Sequence, residues 1–135
     1  MKVFNSLTRQ NEDLKPIADN TIRLYTCGPT VYNFAHIGNF RAYTFEDILR
    51  RVIQFNGMKI KQVMNLTDVD DKTIKGANAA GVKLTDYTKT YKDAFFADLK
   101  KLNIQSAEVY PAATDHIPEM IDLVADLVKK GIAYQ

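Results

Sequence analysis

The sequence has only one cysteine and almost no excess of charge. Its 135 residues include 18 lysines and arginines and 16 aspartates and glutamates, so the formal net charge is +2 at pH 7. A single cysteine excludes an internal disulfide. So small a charge also provides no basic stripe of the kind that marks a nucleic-acid surface. Cys27 is therefore a core thiol, a nucleophile or a metal ligand, and from composition alone we favour the core thiol.

Long apolar runs are absent as well. No uninterrupted run reaches the roughly 20 residues that a membrane-spanning helix needs, and Met1 is followed by polar residues rather than by an apolar signal segment. We therefore expect no membrane association and a cytoplasmic location. The composition, 46% apolar and 25% charged, lies in the usual globular range. A chain of this length can form one domain with a buried core.

Hydrophobic periodicity predicts a strand, a helix and a second strand in the first half of the chain. Residues 21–27, TIRLYTC, alternate apolar and polar side chains, and residues 59–67, KIKQVMNLT, fit a second strand. A helix is expected between them, from about 38 to 56. A helix that connects two strands favours a parallel pair. Such sheets bind ligands beyond the carboxyl ends of their strands, where Cys27 and Thr67 lie.

Apolar spacing also predicts the buried face of each helix. In the helix over 38–56 the expected buried residues are Phe45, Ile48, Leu49 and Val52. Two helices follow, one that closes at Gly81 and one with Thr85 as its N-cap. The last helix is expected to end at Gly131 and to bury Ile117, Ile121, Val124 and Val128. The final residues, IAYQ, resemble the start of a further strand, so we expect a larger fold.

The loop between the first strand and the helix carries the candidate chemistry. If the helix begins near Gly38, His36 lies just before its N-terminus, where unpaired backbone N–H groups and the dipole favour anions. His36 and Asn39 could donate hydrogen bonds to a phosphoryl oxygen, while Gly38 lets a ligand approach the backbone. The alternative, which spacing alone favours, is that His36 only caps the helix or fills the loop.

Several stretches resemble the cysteinyl-tRNA synthetase family of class I aminoacyl-tRNA synthetases. HIGN, residues 36–39, is similar to the HIGH signature of class I, and LYTCGPTVYNFAHIGN and NLTDVDDKTIKGA resemble this family closely. VFNSLTRQNEDLKPI and YPAATDHIPEMIDLVADLVKKGIAY fit it too, so the resemblance covers essentially the whole chain. It implies an α/β fold: residues 1–135 would form the N-terminal half of a Rossmann-like (HUP-type) doubly wound parallel-sheet catalytic domain. That domain would be cut before its connective insertion and second half.

The resemblance implies an enzyme that uses ATP with Mg²⁺ to convert cysteine to cysteinyl-adenylate and then transfers the cysteinyl group to tRNA(Cys). His36, Gly38 and Asn39 would bind ATP. His36 and Asn39 would also stabilise the charge that develops on the α-phosphate, as electrostatic catalysts. Asn39 departs from the second histidine of HIGH but keeps a hydrogen-bond donor, so we expect a shifted contact rather than lost function.

The same resemblance implies a zinc ion that binds the substrate thiolate. Cys27 would be one of its four ligands, and a serine hydroxyl would be a much poorer ligand than the thiolate. Gly28, Thr30 and Thr67 would line the amino-acid pocket. The acidic residues that follow the second strand lack EF-hand spacing, and we expect them to anchor the strand end and the next helix: Asp68, Asp70 and Asp71.

The family's other zinc ligands and its KMSKS loop have no counterpart in this sequence. We therefore expect the isolated chain to be nearly inactive and to self-associate through an exposed sheet edge. Two alternatives stay open. One is a related ligase that gives cysteine to an amino sugar, although those enzymes carry a leucine in place of Ile37 and a proline in place of Lys72. The other is a non-catalytic nucleotide-binding or interaction fragment.

Overall fold

A computed structural model describes residues 1–134 of the chain. It contains four strands and four α-helices, with a short 3₁₀ helix before the last of them. In chain order they are β1 (Lys2–Asn5), β2 (Gln10–Asp13), β3 (Thr21–Thr26), α1 (Ile37–Phe55), β4 (Lys59–Met64), α2 (Asp71–Ala80), α3 (Leu84–Lys101), the 3₁₀ helix (Ala113–His116) and α4 (Ile117–Lys129). The antiparallel hairpin of β1 and β2 was not predicted. None of the helices within residues 1–134 combines the length and the apolar character needed to cross a bilayer.

Strands β3 and β4 pair in parallel, as predicted. Thr26 lies opposite Met64 at the carboxyl ends of the two strands. On the other side of β4, residues 109–113 run parallel to it, and the backbone N–H of Leu66 donates to the carbonyl oxygen of Pro111 at 2.8 Å. The strand–helix–strand unit is therefore continued by a third segment, which agrees with the N-terminal part of a Rossmann-like α/β domain.

The core lies between the sheet, α1 and α3. Phe40 and Tyr43 of α1 contact Phe95 of α3, with ring centroids 6.3 and 5.2 Å from it. The other buried members of this cluster are smaller or aliphatic: Met64, Leu66, Leu99, Ala107 and Ala112. Burying one large apolar side chain contributes about 1.5–3 kcal/mol, so the aromatic contacts fix the position of α1 on α3.

Helix α1 buries the face opposite to the predicted one. Phe45, Ile48 and Val52 are all exposed, Phe45 to 66% of its surface. The buried positions are instead Phe40, Tyr43, Asp47, Arg50 and Ile53. The prediction was wrong because the periodic apolar stripe identified a helix but not the surface against which the helix packs.

Hydrogen bonds with a distant segment explain why polar residues lie on the inner face of α1. The Arg50 guanidinium forms an ion pair with Glu108 and donates to Gln62 and Gln105 side chains at 3.1 and 3.0 Å. Asp47 accepts a hydrogen bond from the backbone N–H of Gln105 at 2.9 Å. Buried charges need such partners. Gln105 lies 55 residues after Arg50 and 58 residues after Asp47 in the sequence.

Two further predictions about the helices were wrong. Every residue of α4 is at least partly exposed, including the expected buried stripe, and Ile121 is 62% exposed. This helix packs chiefly against the 3₁₀ helix that precedes it, so nothing within residues 1–134 covers its apolar face.

The N-cap position of α3 is Lys83 rather than Thr85, because the extended backbone that precedes a helix occurs at Lys83. The expected strand at the end of the chain is absent over 132–134, and Gln135 lies outside the described residues.

Candidate active site

A cleft of about 320 Å³ opens beyond the carboxyl ends of β3 and β4, at the N-terminus of α1. It is lined by the loop before α1 and by two residues of that helix: Gly28, Pro29, Thr30, Tyr32, Asn33, Phe34, Ala35, His36, Asn39 and Tyr43. Gly28, Thr30, His36 and Asn39, four of the predicted site residues, are therefore together in one cleft. The other three, Cys27, Gly38 and Thr67, adjoin it.

Hydrogen bonds hold the start of this loop against the chain that follows β4. The backbone N–H of Gly28 donates to Asn65 Oδ1 at 2.9 Å. The backbone N–H of Thr67 donates to the Pro29 carbonyl at 3.0 Å, and that of Val31 donates to the Thr67 carbonyl at 3.0 Å. A Cβ on Gly28 would lie 1.8 Å from the Asn65 carbonyl oxygen. Only glycine can lie so close to the Asn65 backbone. The two bonds of Thr67 hold it next to Pro29 and Val31, beside the cleft.

Cys27 is exposed, so the expectation of a core thiol is wrong. Strand β3 ends at the buried Thr26, and side chains alternate along a strand, so the next side chain points to the other face. The Cys27 sulfur lies 3.6 Å from the carbonyl oxygen of Gly28, which lines the cleft. Within residues 1–134 no group of three histidine, cysteine, aspartate or glutamate side chains could hold a metal ion. Cys27 therefore offers one accessible sulfur ligand and no complete site.

Tyr43 forms an uncharged wall of the cleft. Burial raises the pKa of its hydroxyl to about 12, with contributions from the charges of Glu46 and Cys27. Burial also raises the pKa of Glu46, although a hydrogen bond with Thr26 opposes this shift. The Oε2 atom of Glu46 is buried and has no hydrogen-bond partner in the described part of the chain. Tyr43 therefore keeps its proton at neutral pH and can donate a hydrogen bond.

His36 is the N-cap of α1, as spacing alone suggested. Its Nδ1 atom accepts a hydrogen bond from the backbone N–H of Gly38 at 3.0 Å, and Asn39 Oδ1 accepts one from the backbone N–H of His36 at 3.0 Å. Because Nδ1 is an acceptor here, the neutral ring carries its proton on Nε2, and Asn39 keeps Nδ2 as a donor. Capping therefore orients two donors and does not exclude ligand binding.

The first backbone N–H groups of α1 are not as unpaired as the sequence suggested. The backbone N–H of Gly38 already donates to His36 Nδ1, and that of Asn39 donates to the His36 carbonyl oxygen. A Cβ on Gly38 would lie 2.8 Å from His36 Cε1, so this glycine makes room for the imidazole. The first turn contains no acidic residue. An anion would therefore meet the positive end of the helix dipole and the side-chain donors.

Among the acidic residues after β4, Asp70 and Asp71 lie at the start of α2, as predicted, whereas Asp68 bonds to α3 and to the 3₁₀ helix. Asp70 is the N-cap of α2, and its Oδ1 atom accepts hydrogen bonds from the backbone N–H groups of Lys72 and Thr73 at 2.9 and 3.0 Å. Asp68 is buried and accepts hydrogen bonds from Lys92 Nζ and Thr114 Oγ1, both at 2.6 Å. Burial raises the pKa of Asp68, but these bonds and the Lys92 charge outweigh it, so the net shift is downward.

Sequence reasoning missed several residues that shape the cleft. The Tyr87 hydroxyl donates to the Tyr32 carbonyl at 2.8 Å, and the Phe34 ring meets the Tyr91 ring edge-on at 5.2 Å between centroids. The spacing of Tyr43, four residues after Asn39, could have placed it on the same face of α1. No local pattern could have paired Tyr32 with a residue 55 positions later.

Comparisons with a protein-family model and with known proteins both point to the same family of tRNA synthetases. The family described as tRNA synthetases class I (C) catalytic domain matches residues 13–135. The chain is 65% identical over its whole length to a cysteine–tRNA ligase of Protochlamydia amoebophila, 59% identical over 132 residues to that of Brachyspira hyodysenteriae, and 47% identical over 135 residues to that of Methanosarcina mazei. It spans 28% of the length of each of these relatives.

Proposed function

Because this chain belongs to the tRNA synthetase class I (C) catalytic domain family, we propose that it contributes the ATP-binding half of a cysteine–tRNA ligase active site. The observation that supports this function is the cleft at the N-terminus of α1. His36 and Asn39 line it together with Gly28 and Thr30, and Cys27 lies at its margin. Its place beyond the carboxyl ends of two parallel strands is where such sheets bind nucleotides.

We assign ATP activation to the α1 side of the cleft. The cysteine carboxylate attacks the α-phosphorus of Mg²⁺-bound ATP, a carboxyl–phosphorus bond forms, and the bond to the leaving pyrophosphate breaks. Negative charge grows on the α-phosphate oxygens during this step. His36 Nε2 and Asn39 Nδ2 would donate hydrogen bonds to those oxygens, and the dipole of α1 would favour the same charge. Gly38 acts by leaving space for the His36 imidazole.

We assign the substrate amino acid to the β-strand side of the cleft, against Gly28, Thr30 and Thr67. Cys27 fits zinc in part, because it supplies one exposed sulfur while zinc takes about four ligands. When bound, zinc would provide a Lewis acid that prefers thiolate sulfur to a hydroxyl oxygen. Cys27 would hold the metal beside Gly28. The cysteinyl group would then pass to tRNA(Cys), the acceptor that the relatives' name implies.

We further propose that the 135-residue chain binds ATP but does not activate cysteine by itself. Its described residues supply one sulfur ligand, and the arrangement of reacting groups contributes several kcal/mol to catalysis of this kind. The exposed apolar faces of α1 and α4 and the open edge of β3 favour self-association of the isolated chain. Light scattering over a range of concentrations tests this; a constant monomer mass would contradict it.

A hybrid enzyme tests the function. This chain would replace the matching 135 residues of the Protochlamydia amoebophila cysteine–tRNA ligase, to which it is 65% identical. We expect cysteine-dependent exchange of labelled pyrophosphate into ATP, and cysteine transfer to tRNA(Cys) rather than to an amino sugar. Cys27→Ala and His36→Ala should each lower exchange by roughly 100-fold or more, whereas Tyr134→Phe, which keeps the ring at a position outside the cleft, should not.

Two results would contradict the proposal. A folded hybrid that binds tRNA but shows no exchange would exclude the assigned function. Exchange by the 135-residue chain alone, lost in both Cys27→Ala and His36→Ala, would show that the chain or its oligomer contains a complete activation site.

A further inference from the structure

We propose that Tyr87 is a positioning residue for the nucleotide-binding loop, defined here as residues 28–36. Tyr87 lies in the first turn of α3 and does not line the cleft. Its hydroxyl donates a 2.8 Å hydrogen bond to the carbonyl oxygen of Tyr32, in the middle of the loop. This inference rests on the proposed function for the identity of the ligand, ATP.

Helix α2 has a gap in which the Tyr87 ring sits. A Cβ on Gly76 would lie 2.2 Å from the Tyr87 hydroxyl oxygen and 2.4 Å from Cζ. Real Cβ atoms do not approach other atoms so closely, so any side chain at this position must displace the ring. Glycine inside a helix is less favourable than alanine. The close approach of Tyr87 is the physical reason for a glycine here.

Two other contacts join the same loop to the same helices. Tyr91, one turn after Tyr87, meets the Phe34 ring edge-on at 5.2 Å and the Tyr87 ring at 5.1 Å between centroids. On the α2 side, Lys72 Nζ lies 4.8 Å from the centroid of the Tyr32 ring. Aromatic pairs and cation–π contacts of this kind are attractive and favour one arrangement of the rings. The loop is thus attached to α2 and α3 at two successive aromatic residues.

This attachment matters because the loop has almost no regular structure of its own, and residues 32–34 are exposed. Its backbone leads directly into His36, whose imidazole must be oriented before it can donate to a phosphate. Donors that are already oriented bind a ligand without a further ordering cost. The Tyr87 hydroxyl therefore acts through the Tyr32 carbonyl on the position of His36. Loss of one such hydrogen bond corresponds to roughly fivefold weaker ATP binding.

The test measures loop position and ATP affinity separately in the ¹⁵N-labelled 135-residue chain. Tyr87→Phe removes the hydroxyl and keeps the ring, and Tyr134→Phe is the matched control at an exposed tyrosine. We expect Tyr87→Phe to shift the amide resonances of 32–36 without ATP and to weaken ATP binding roughly fivefold. Both measurements use a temperature at which each variant is fully folded. Because the Tyr32 carbonyl belongs to the peptide group of Asn33, loss of the bond alone shifts the Asn33 amide. A positioning role therefore requires shifts at residues 35 and 36 together with weaker ATP binding.

Gly76→Ala provides an independent variant that keeps the Tyr87 hydroxyl but displaces its ring. It should favour the helical state of α2 and still reproduce the amide shifts and the weaker ATP binding. The double variant should be no worse than the poorer single one, because both changes break the same contact. Amide shifts and ATP affinity equal to those of Tyr134→Phe, in either single variant, would overturn the inference. If the unmodified chain does not bind ATP, the proposal that the 135-residue chain binds ATP by itself fails, whereas exchange by the hybrid enzyme still tests the function. The amide shifts of residues 35 and 36 then decide whether Tyr87 positions the loop.

Discussion

Helices α1 and α2 begin with the same reciprocal cap but with different charge. In α1 the cap is made by His36 and Asn39, and in α2 by Asp70 and Thr73. The first turn of α1 has no acidic residue, whereas that of α2 also contains Asp71. A helix N-terminus carries a partial positive charge of about half an elementary unit. The carboxylates of α2 neutralise it within the chain, while the imidazole cap of α1 leaves it for an external anion.

The difference in charge is the reason why the proposed function assigns the phosphate to the start of α1 rather than to the start of α2. A side chain can satisfy the backbone donors of a helix and still permit a phosphate nearby, provided that the side chain is not negatively charged. His36 meets this condition because its accepting nitrogen faces the helix and its other nitrogen remains a donor.

The largest effect should come from giving α1 the cap of α2. His36→Asp retains a side-chain oxygen that can accept from Gly38, so the free energy of unfolding should stay the same or rise by about 0.5 kcal/mol. The substitution adds a carboxylate that repels phosphate and removes the Nε2 donor. ATP binding by the chain and pyrophosphate exchange by the hybrid enzyme should therefore fall by about 100-fold or more. Calorimetric ATP titration and urea unfolding measure the two quantities. Near-normal ATP affinity in this variant would exclude the N-terminus of α1 as the phosphate site.

Removing the cap of α2 should have the opposite pattern. Asp70→Ala leaves the backbone N–H groups of Lys72 and Thr73 without their acceptor, which should lower the free energy of unfolding by about 1 kcal/mol. ATP affinity should not change, because Asp70 does not line the cleft. Urea unfolding gives the stability, and Asp71→Ala serves as a neighbouring carboxylate control without the cap bonds. A loss of ATP affinity in Asp70→Ala alone would show that the two helix ends are not independent.

The smallest expected effect is a change in how the free energy of unfolding depends on acidic pH, caused by the Asp68 carboxyl near α2. Hydrogen bonds and the Lys92 charge lower the pKa of Asp68 below its ordinary value near 3.8, despite burial. A lowered pKa in the folded state contributes stability that is present above pH 3.8 and is lost as the pH falls through the folded-state pKa. The urea midpoint of unfolding should therefore decrease as the pH is lowered below 3.8. Asp68→Asn should make the midpoint less dependent on pH in this range and should lower the free energy of unfolding at pH 7. An unchanged slope in Asp68→Asn would assign the acid sensitivity to other carboxylates.

Local features of the fold were predictable with good accuracy. The two glycines expected to end helices, Gly81 and Gly131, have positive φ angles of 66° and 68°. The parallel pair of β3 and β4 agrees with the strand–helix–strand pattern. These features depend on residues within a few positions of one another, and a single stretch of sequence therefore contains the information.

The candidate site was predictable only in part. The resemblance and the spacing around Gly38 singled out His36 and Asn39, and the structure places both in the cleft. Tyr32 and Phe34 were treated as loop residues, because their role depends on tyrosines of α3 that no local pattern connects to them. The capping geometry, which leaves His36 Nε2 as a donor, could likewise be seen only in the three-dimensional structure.

The sequence by itself determined where most of the elements begin and end, the parallel arrangement of the central strands and the candidate residues of the site. Only the tertiary structure decided which face of α1 is inside. There Arg50 and Asp47 bond to residues 105–108, while the apolar stripe that includes Phe45 stays exposed. It also decided that Cys27 is exposed and that α3 supports the loop of the site. The physical reason is that helix and strand formation depends on neighbours along the chain, whereas burial and orientation depend on partners that only the fold brings together.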